Sequence, residues 1–408
     1  MAAVKDTELN TKKSVFIVSQ FVDKEQNSTG YYWYKIIIGL SEHGVDTKVI
    51  STKESCESVK KSFSAEKFIP INGLSHYKKN NLMQKGLVQL FLCFQFTYQI
   101  FKHVKKGDII LSGTNPSLML LFTALAKSIR RFEWVLLVHD VFPENLVPAN
   151  VLKQRSFFYA VLKRVFDRAY CSADTLIAIG RDMQDILFKK TGNREKTKYI
   201  PNWVDLDDIV SGDDLSQSYF QPGRPKKIVF QFFGNIGRLQ GIDEVLKAIS
   251  KLNSDQAAFL FIGGGTQESK VRAFIQDHPN LDIVLSQSVP FKKNNEILSS
   301  CDIAIVPLTR GMLGLGVPSK AYFSLAADKP ILVIGDQNAE LDLTIRAHPD
   351  IGWSCQSGDV NALVSIFSEI IASDLVSKHN IPRSYVAKHH GVNEAISQIA
   401  SIIHSIGK

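Results

Sequence analysis

Residues 227–249 read KIVFQFFGNIGRLQGIDEVLKAI. Apart from Gln231, the run from Ile228 to Phe233 is apolar. A strand without polar alternation is buried on both faces, as in a parallel sheet. It stops at Gly234-Asn235-Ile236-Gly237-Arg238, and a helical pattern starts near Gly241. Glycines let backbone N–H groups come close to a phosphate, and a helix N-terminus favours negative charge. Arg238 would add a two-pronged donor. A strand, a glycine turn and a helix in this order form the repeating unit of a doubly wound α/β domain.

The unit recurs on both sides. After it, AAFLFIGGG (257–265), LDIVLS (281–286), DIAIVPL (302–308) and PILVIGD (330–336) read as strands. Helices fit at about 241–252, 267–277, 318–327, 339–347 and 359–373. Before it, SVFIVS (14–19), DTKVIS (46–51), DIILSG (108–113), EWVLLVH (133–139) and DTLIAIG (174–180) read as buried strands. YYWYKIIIGLSEHG (31–44) is a helix ending at a capping Gly44. The expected fold class is therefore α/β, with two doubly wound Rossmann-like domains. The stretch 204–227 is rich in Asp, Ser, Gly and Pro and reads as the connection. This gives an N-terminal domain at 1–205, a C-terminal domain at 224–390 and a last helix at 391–408. Ala395, Ile396, Ile399, Ile402 and Ile403 put an apolar stripe on that helix, which must cover one of the domains.

At 408 residues, 45% apolar and 22% charged, the chain has ordinary globular composition. Its five cysteines form no CxxC, which argues against a zinc ribbon or a disulfide scaffold. The polar start MAAVKDTELNTKK lacks the apolar core of a secretory signal, so a cytoplasmic protein is expected. Charge is uneven. Residues 1–205 hold 30 Lys and Arg against 19 Asp and Glu, a balance of +11, while the remainder carries −3. The first half is expected to face something anionic. No helix-turn-helix, zinc finger or RNA-binding strand motif favours nucleic acid, which leaves an anionic membrane surface. LVQLFLCFQFTYQIF (87–101) supports that reading, flanked by Lys78, Lys79 and Lys85 before it and Lys102, Lys105 and Lys106 after it. It is shorter than the ~20 apolar residues of a spanning helix. It reads either as an interfacial helix or as an ordinary core helix, and so does RSFFYAVLKRVFDRAY (155–170).

Ligands of open α/β sheets bind beyond the strands' carboxyl ends, so the chemistry is sought in four loops. The first is Gly234–Arg238. In the second, Gly314, Gly316 and Pro318 open a helix with Lys320 in its first turn, where a cation opposes the helix dipole. The third is HDVFPENL (139–146), with His139, Asp140 and Glu144. The fourth is Ser28-Thr29-Gly30, an acceptor-side loop or a capped helix start. Each also has a bland reading: a plain glycine turn, a solvated lysine, a structural histidine. No HExxH, His/Cys cluster, Walker loop or GxSxG is present, so neither a metal nor a cofactor is indicated.

These loops, in this order, resemble the retaining nucleotide-sugar glycosyltransferases of family 4, with the GT-B fold. The resemblance spans roughly residues 14–390 and is closest to bacterial enzymes of O-antigen, capsule and colanic-acid synthesis. It rests on STGYYWYKIIIGLSEHGVDTKVIS, HDVFPENL, DTLIAIGRDMQDIL, KTKYIPNWVD, FFGNIGRLQGID, FIGGGTQESKV and SVPFKKNNEILSSCDIAIVPL. It implies that the C-terminal domain holds a nucleoside-diphosphate sugar and the N-terminal domain the acceptor; the basic first half fits a polyprenyl-diphosphate-linked saccharide as that acceptor, at the inner face of the plasma membrane. Gly234, Asn235, Gly237 and Arg238 would contact the donor's diphosphate, together with Gly316 and Lys320. His139, Asp140 or Glu144 would act at the reacting sugar. The chain departs from the family where two glutamates with seven residues between them are usual: Leu315 and Phe323 stand there, and Gln240 replaces a frequent lysine. Ribose recognition would then be built differently, through Ser324 for instance. A non-catalytic partner of this fold and a nucleotide-sugar epimerase are the competing readings.

Overall fold

The computed structural model describes residues 13–60, 67–73, 82–210, 215, 218–221, 225–373 and 379–407. Lys78, Lys79 and parts of the 204–227 connection lie outside them. Seven strands form the first sheet: β1 (Val15–Val18), β2 (Thr47–Thr52), β3 (Phe68–Ile71), β4 (Ile109–Gly113), β5 (Glu133–Val138), β6 (Thr175–Ala178) and β7 (Thr197–Tyr199). Their order is β3-β2-β1-β4-β5-β6-β7, every pair parallel. The second sheet holds β8 (Ile228–Asn235), β9 (Ala257–Gly264), β10 (Ile283–Ser286), β11 (Ile303–Pro307), β12 (Ile331–Gly335) and β13 (Gly352–Gln356). It runs β10-β9-β8-β11-β12-β13, again parallel. In each sheet the order reverses beside the first strand, at β1/β4 and at β8/β11. Such a reversal opens a crevice at the carboxyl edge.

The helices of the first half are α1 (Ser28–Glu42), α2 (Lys53–Val59), α3 (Leu82–His103), α4 (Met119–Arg130), α5 (Phe157–Ser172) and α6 (Arg181–Thr191). Those of the second are α7 (Ile242–Lys251), α8 (Glu268–Asp277), α9 (Asn294–Ser299), α10 (Lys320–Ala326), α11 (Glu340–Ala347), α12 (Val360–Ala372), α13 (Ile381–His389) and α14 (Val392–Gly407). The central strands match the sequence reading to within about two residues at each end. Three strands escaped it: β3, β7 and β13, each the edge of its sheet. An edge strand needs fewer apolar residues, and it tolerates a proline such as Pro70 where no ladder bond is donated.

Helix α14 settles where the last apolar stripe goes. It packs on α1 of the N-terminal domain, burying Ala395, Ile396, Ile399 and Ile403. Gly39 of α1 makes the approach possible, because a Cβ there would stand 2.3 Å from Ile396 Cγ2.

The two domains are stapled along one side. Glu340, almost wholly buried, accepts from the Arg181 backbone N at 2.6 Å, from Arg181 Nε at 3.0 Å and from Tyr199 Oη at 2.8 Å. Asp182 accepts from Gly314 N at 2.8 Å. Arg181 is exposed, so the pair itself is screened, but removing Glu340 leaves the buried donors that it satisfies without a partner, which costs about 1–3 kcal/mol. Glu340→Ala is therefore expected to lower the melting temperature by several degrees, with Glu340→Gln falling in between. Equal melting of Glu340→Ala and the parent in calorimetry would refute the staple.

Candidate active site

A cleft of about 680 Å³ lies between the domains. The C-terminal domain supplies Gly234 and Asn235 from the end of β8, Gln240 from the loop after it, Gly263 and Gly264 from β9, and Ser319, Lys320 and Phe323 around the start of α10. The N-terminal domain closes it with Gln26, Asn27 and Ser28. Lys320 is the one charged side chain among the described residues that line it. Its Nζ sits 3.7 Å from the Phe232 ring centroid and donates to Gln240 Oε1 at 3.4 Å. Burial pushes its pKa down to about 7. An ammonium held out of water without a carboxylate is costly, and a bound diphosphate would relieve that cost.

A smaller chamber of about 230 Å³ adjoins the cleft and shares Ser28, Gln240, Pro318 and Ser319 with it. His139 and Asp140 line it, together with Thr29, Tyr32 and Asn202. The loop after β5 is pinned by Thr114 Oγ1, which accepts from His139 N at 3.2 Å and Asp140 N at 3.1 Å. Asp140 pairs antiparallel with Gly316, and Val141 N donates to Leu315 O at 2.9 Å. A Cβ at Gly316 would lie 3.2 Å from Asp140 Oδ1, so glycine leaves room for the carboxylate. Burial pushes the His139 pKa down to about 4 and the Asp140 pKa up to about 6. At neutral pH the pair is a neutral imidazole beside a carboxylate. Three buried polar atoms around these spaces have no partner: Tyr32 Oη, Asn202 Oδ1 and Asn294 Nδ2. Buried polar groups are normally satisfied, and a polyhydroxylated ligand would satisfy these.

The structure corrects several expectations. Glu144 does not reach the chamber; it pairs with Lys163 at 2.9 Å and Lys190 at 2.8 Å. Ser324 is wholly buried in α10 and does not line the cleft, because one helical step beyond Phe323 points it away. Ser28, Thr29 and Gly30 form the first turn of α1 and do not precede it. Asn27 caps that turn by accepting from Gly30 N at 2.9 Å. Ser28 and Thr29 line the chamber, whereas Gly30 faces the Asp23 carbonyl. Gly237 is buried beneath its loop, while Arg238 is exposed and lines neither space. Leu315 and Phe323 are both buried, and Phe323 packs edge-on against Tyr31 at 5.2 Å and Phe291 at 5.8 Å. An aromatic wall thus stands where a carboxylate is usual. Asn294, Tyr32 and Asn202 were missed by sequence reasoning. All three lie within quoted motifs, but nothing in their local pattern marks an unpartnered atom.

Known proteins agree with this frame. Residues 29–208 match Glycosyltransferase Family 4, and residues 217–388 match Glycosyl transferases group 1. The curated Probable glycosyltransferase WbjE of Pseudomonas aeruginosa is 39% identical over 396 residues, spanning 96% of this chain and 98% of the relative. Among solved structures, sucrose-phosphate synthase of Thermosynechococcus elongatus aligns with a TM-score of 0.73 at 14% identity, covering 97% of this chain and 99% of that one. HepE of Anabaena, solved in complex with UDP-glucose, aligns with a TM-score of 0.69 at 16% identity, covering 96% and 99%. Two parallel-sheet domains facing one cleft, both matched in chain order and paired with a near full-length relative, are the GT-B arrangement; the chain belongs to the family 4 glycosyltransferases, with a group 1 C-terminal domain.

Proposed function

We propose that this glycosyltransferase moves a sugar from a nucleoside diphosphate to a carrier-linked saccharide during cell-surface polysaccharide synthesis. The observation that carries the donor assignment is Lys320, a cation without a carboxylate partner in a cleft that no acidic residue lines among the described residues. The diphosphate lies against Lys320 and the loop after β8, and the transferred sugar occupies the chamber of His139 and Asp140. The bond from sugar C1 to the diphosphate breaks, its electron pair leaving with the phosphate. The acceptor oxygen bonds to C1 and its proton passes to the departing diphosphate. Asp140 faces the positive charge that develops on the ring, and neutral His139 holds a sugar hydroxyl. Side-chain charge replaces a metal in this scheme, and the anomeric configuration is retained, in line with the family resemblance.

The polar contact to the nucleoside falls to Asn294, whose amide has a free Nδ2 at the cleft wall. A neutral hydrogen bond contributes about 0.5–1.5 kcal/mol. Asn294→Ala should weaken nucleoside-diphosphate binding ~2–10-fold; unchanged affinity in calorimetry would remove it from the site. The whole reading is tested by incubating the protein with a panel of nucleoside-diphosphate sugars and carrier-linked acceptors. Transfer from one donor supports it. Failure of every nucleoside diphosphate to bind refutes it.

A further inference from the structure

Large apolar side chains that stay exposed are unevenly spread over this molecule. Of fifteen among the described residues, all but Val210, Leu313 and Ile381 lie on α3, α4, α5 or just before α5. Phe157 and Phe158 are 78% and 73% exposed, and Phe94 and Tyr98 are each 63% exposed. The three helices adjoin: α4 packs against both α3 and α5, and Phe94 of α3 meets Phe122 of α4 edge-on at 5.2 Å. Leu125 and Ile129 of α4 continue the face. Soluble proteins rarely leave a contiguous apolar face of this kind uncovered.

The charge around it is predominantly basic. Helices α3 and α4 contain no Asp or Glu, and the one acid on α5, Asp167, is paired with Lys163 and Lys190. Arg164 and Arg168 follow Phe157 and Val161 along the exposed side of α5. They line a groove of about 490 Å³ together with Lys163 and Asp167, and because Asp167 pairs with Lys163, Arg164 and Arg168 carry its net positive charge. Lys153, Arg155 and Lys102 are exposed at the margins. No helix among the described residues is long and apolar enough to cross a membrane. An apolar face rimmed by arginine and lysine, on helices too short or too polar to span, fits the interfacial region of an anionic bilayer.

We infer that the joined outer face of α3, α4 and α5 is a membrane-docking surface, with Phe157 and Phe158 entering the interface and the α5 groove taking anionic headgroups. This deepens the reading of a carrier-linked acceptor and rests on it for its purpose. Helix α5 follows the loop that bears His139 and Asp140, so its aromatic N-terminus brings the bilayer to the acceptor side of the cleft. The aromatic side chains also change the expected salt response. A purely electrostatic patch lets go in high salt, whereas buried aromatic rings keep part of the binding.

The test is sedimentation of the full chain with phosphatidylglycerol-containing and with pure phosphatidylcholine vesicles, at low and high salt. The expected result is binding to the anionic vesicles that weakens with salt but does not vanish. The double variant Phe157→Ser/Phe158→Ser should lose at least tenfold in partitioning and its salt-resistant fraction. Arg164→Gln/Arg168→Gln should lose the preference for anionic lipid. Both pairs are surface changes, so melting temperature and UDP affinity should stay at parental values. No binding to either vesicle would overturn the inference. A lipid-free dimer that the serine pair dissociates would do the same, by assigning the face to a second copy. Vesicle binding in a protein that binds no nucleoside diphosphate would sink the donor reading and leave the surface standing.

Discussion

Asp140→Asn lowers turnover by about a hundredfold or more while nucleoside-diphosphate affinity stays near parental. The amide keeps the shape of the carboxylate beside Gly316 but cannot face positive charge on the sugar ring. The backbone donors to Thr114 and the Val141–Leu315 bond are untouched by the change, so the melting temperature should hardly move. The pH profile adds a second signature. Parental kcat/KM should rise as Asp140 ionises through about pH 6, and fall as Lys320 loses its proton above about pH 7. Asp140→Asn should erase the acid limb and keep the alkaline one. Parental turnover in the variant would end the assignment, and Glu144 is no fallback because Lys163 and Lys190 hold it elsewhere.

Lys320→Met should weaken nucleoside-diphosphate binding about tenfold to a hundredfold, as expected for a charged contact of about 1.5–3 kcal/mol. Stability should respond in the opposite direction. The parental chain half-buries an ammonium with only an amide and a ring for company. Methionine fills similar space without that desolvation cost, so the variant should melt at or above the parental temperature. Titration calorimetry and a thermal melt on the same preparation separate this from simple misfolding, which would lower both. Unchanged affinity would move the diphosphate off Lys320.

Most of the fold is legible in the chain because central parallel strands are buried on both faces. KIVFQFFG and AAFLFIGGG can be little else, and β8 and β9 lie where their sequences put them. The edge strands β3, β7 and β13 are hidden by their short, mixed composition. The site is legible at the ends of those central strands: Lys320, His139 and Asp140 all reach the two adjoining spaces. Sequence order could not tell which neighbours would turn inward. Ser324 and Phe323 are adjacent, yet helical rotation sends one into the core and the other to the cleft. Glu144 sits four residues from Asp140, but two lysines from α5 and α6 claim it. The unpartnered atoms of Tyr32, Asn202 and Asn294 depend on what the completed fold leaves unsatisfied, and no local pattern encodes that. The segment 87–101 admitted two readings; in the structure it is a core helix that buries Leu92, Cys93, Phe96 and Ile100 and leaves Leu87, Phe91, Phe94 and Tyr98 exposed on its other side.

The seating of α14 on α1 reaches beyond packing, into the timing of synthesis. The N-terminal domain leaves the ribosome first, but the helix that covers α1 is made only after the whole second sheet. Between Asp205 and Val392 the nascent chain carries the face of α1 around Gly39 with its final cover still untranslated. At ~5–20 residues per second that interval lasts roughly 10–40 s. An apolar strip on a nearly finished domain then depends on chaperones, or on transient contacts with the growing second half, to stay out of aggregates. A gene cut at the domain boundary would make that exposure permanent. The smallest self-sufficient N-terminal unit therefore has to include residues 392–407, supplied in trans or rejoined by circular permutation.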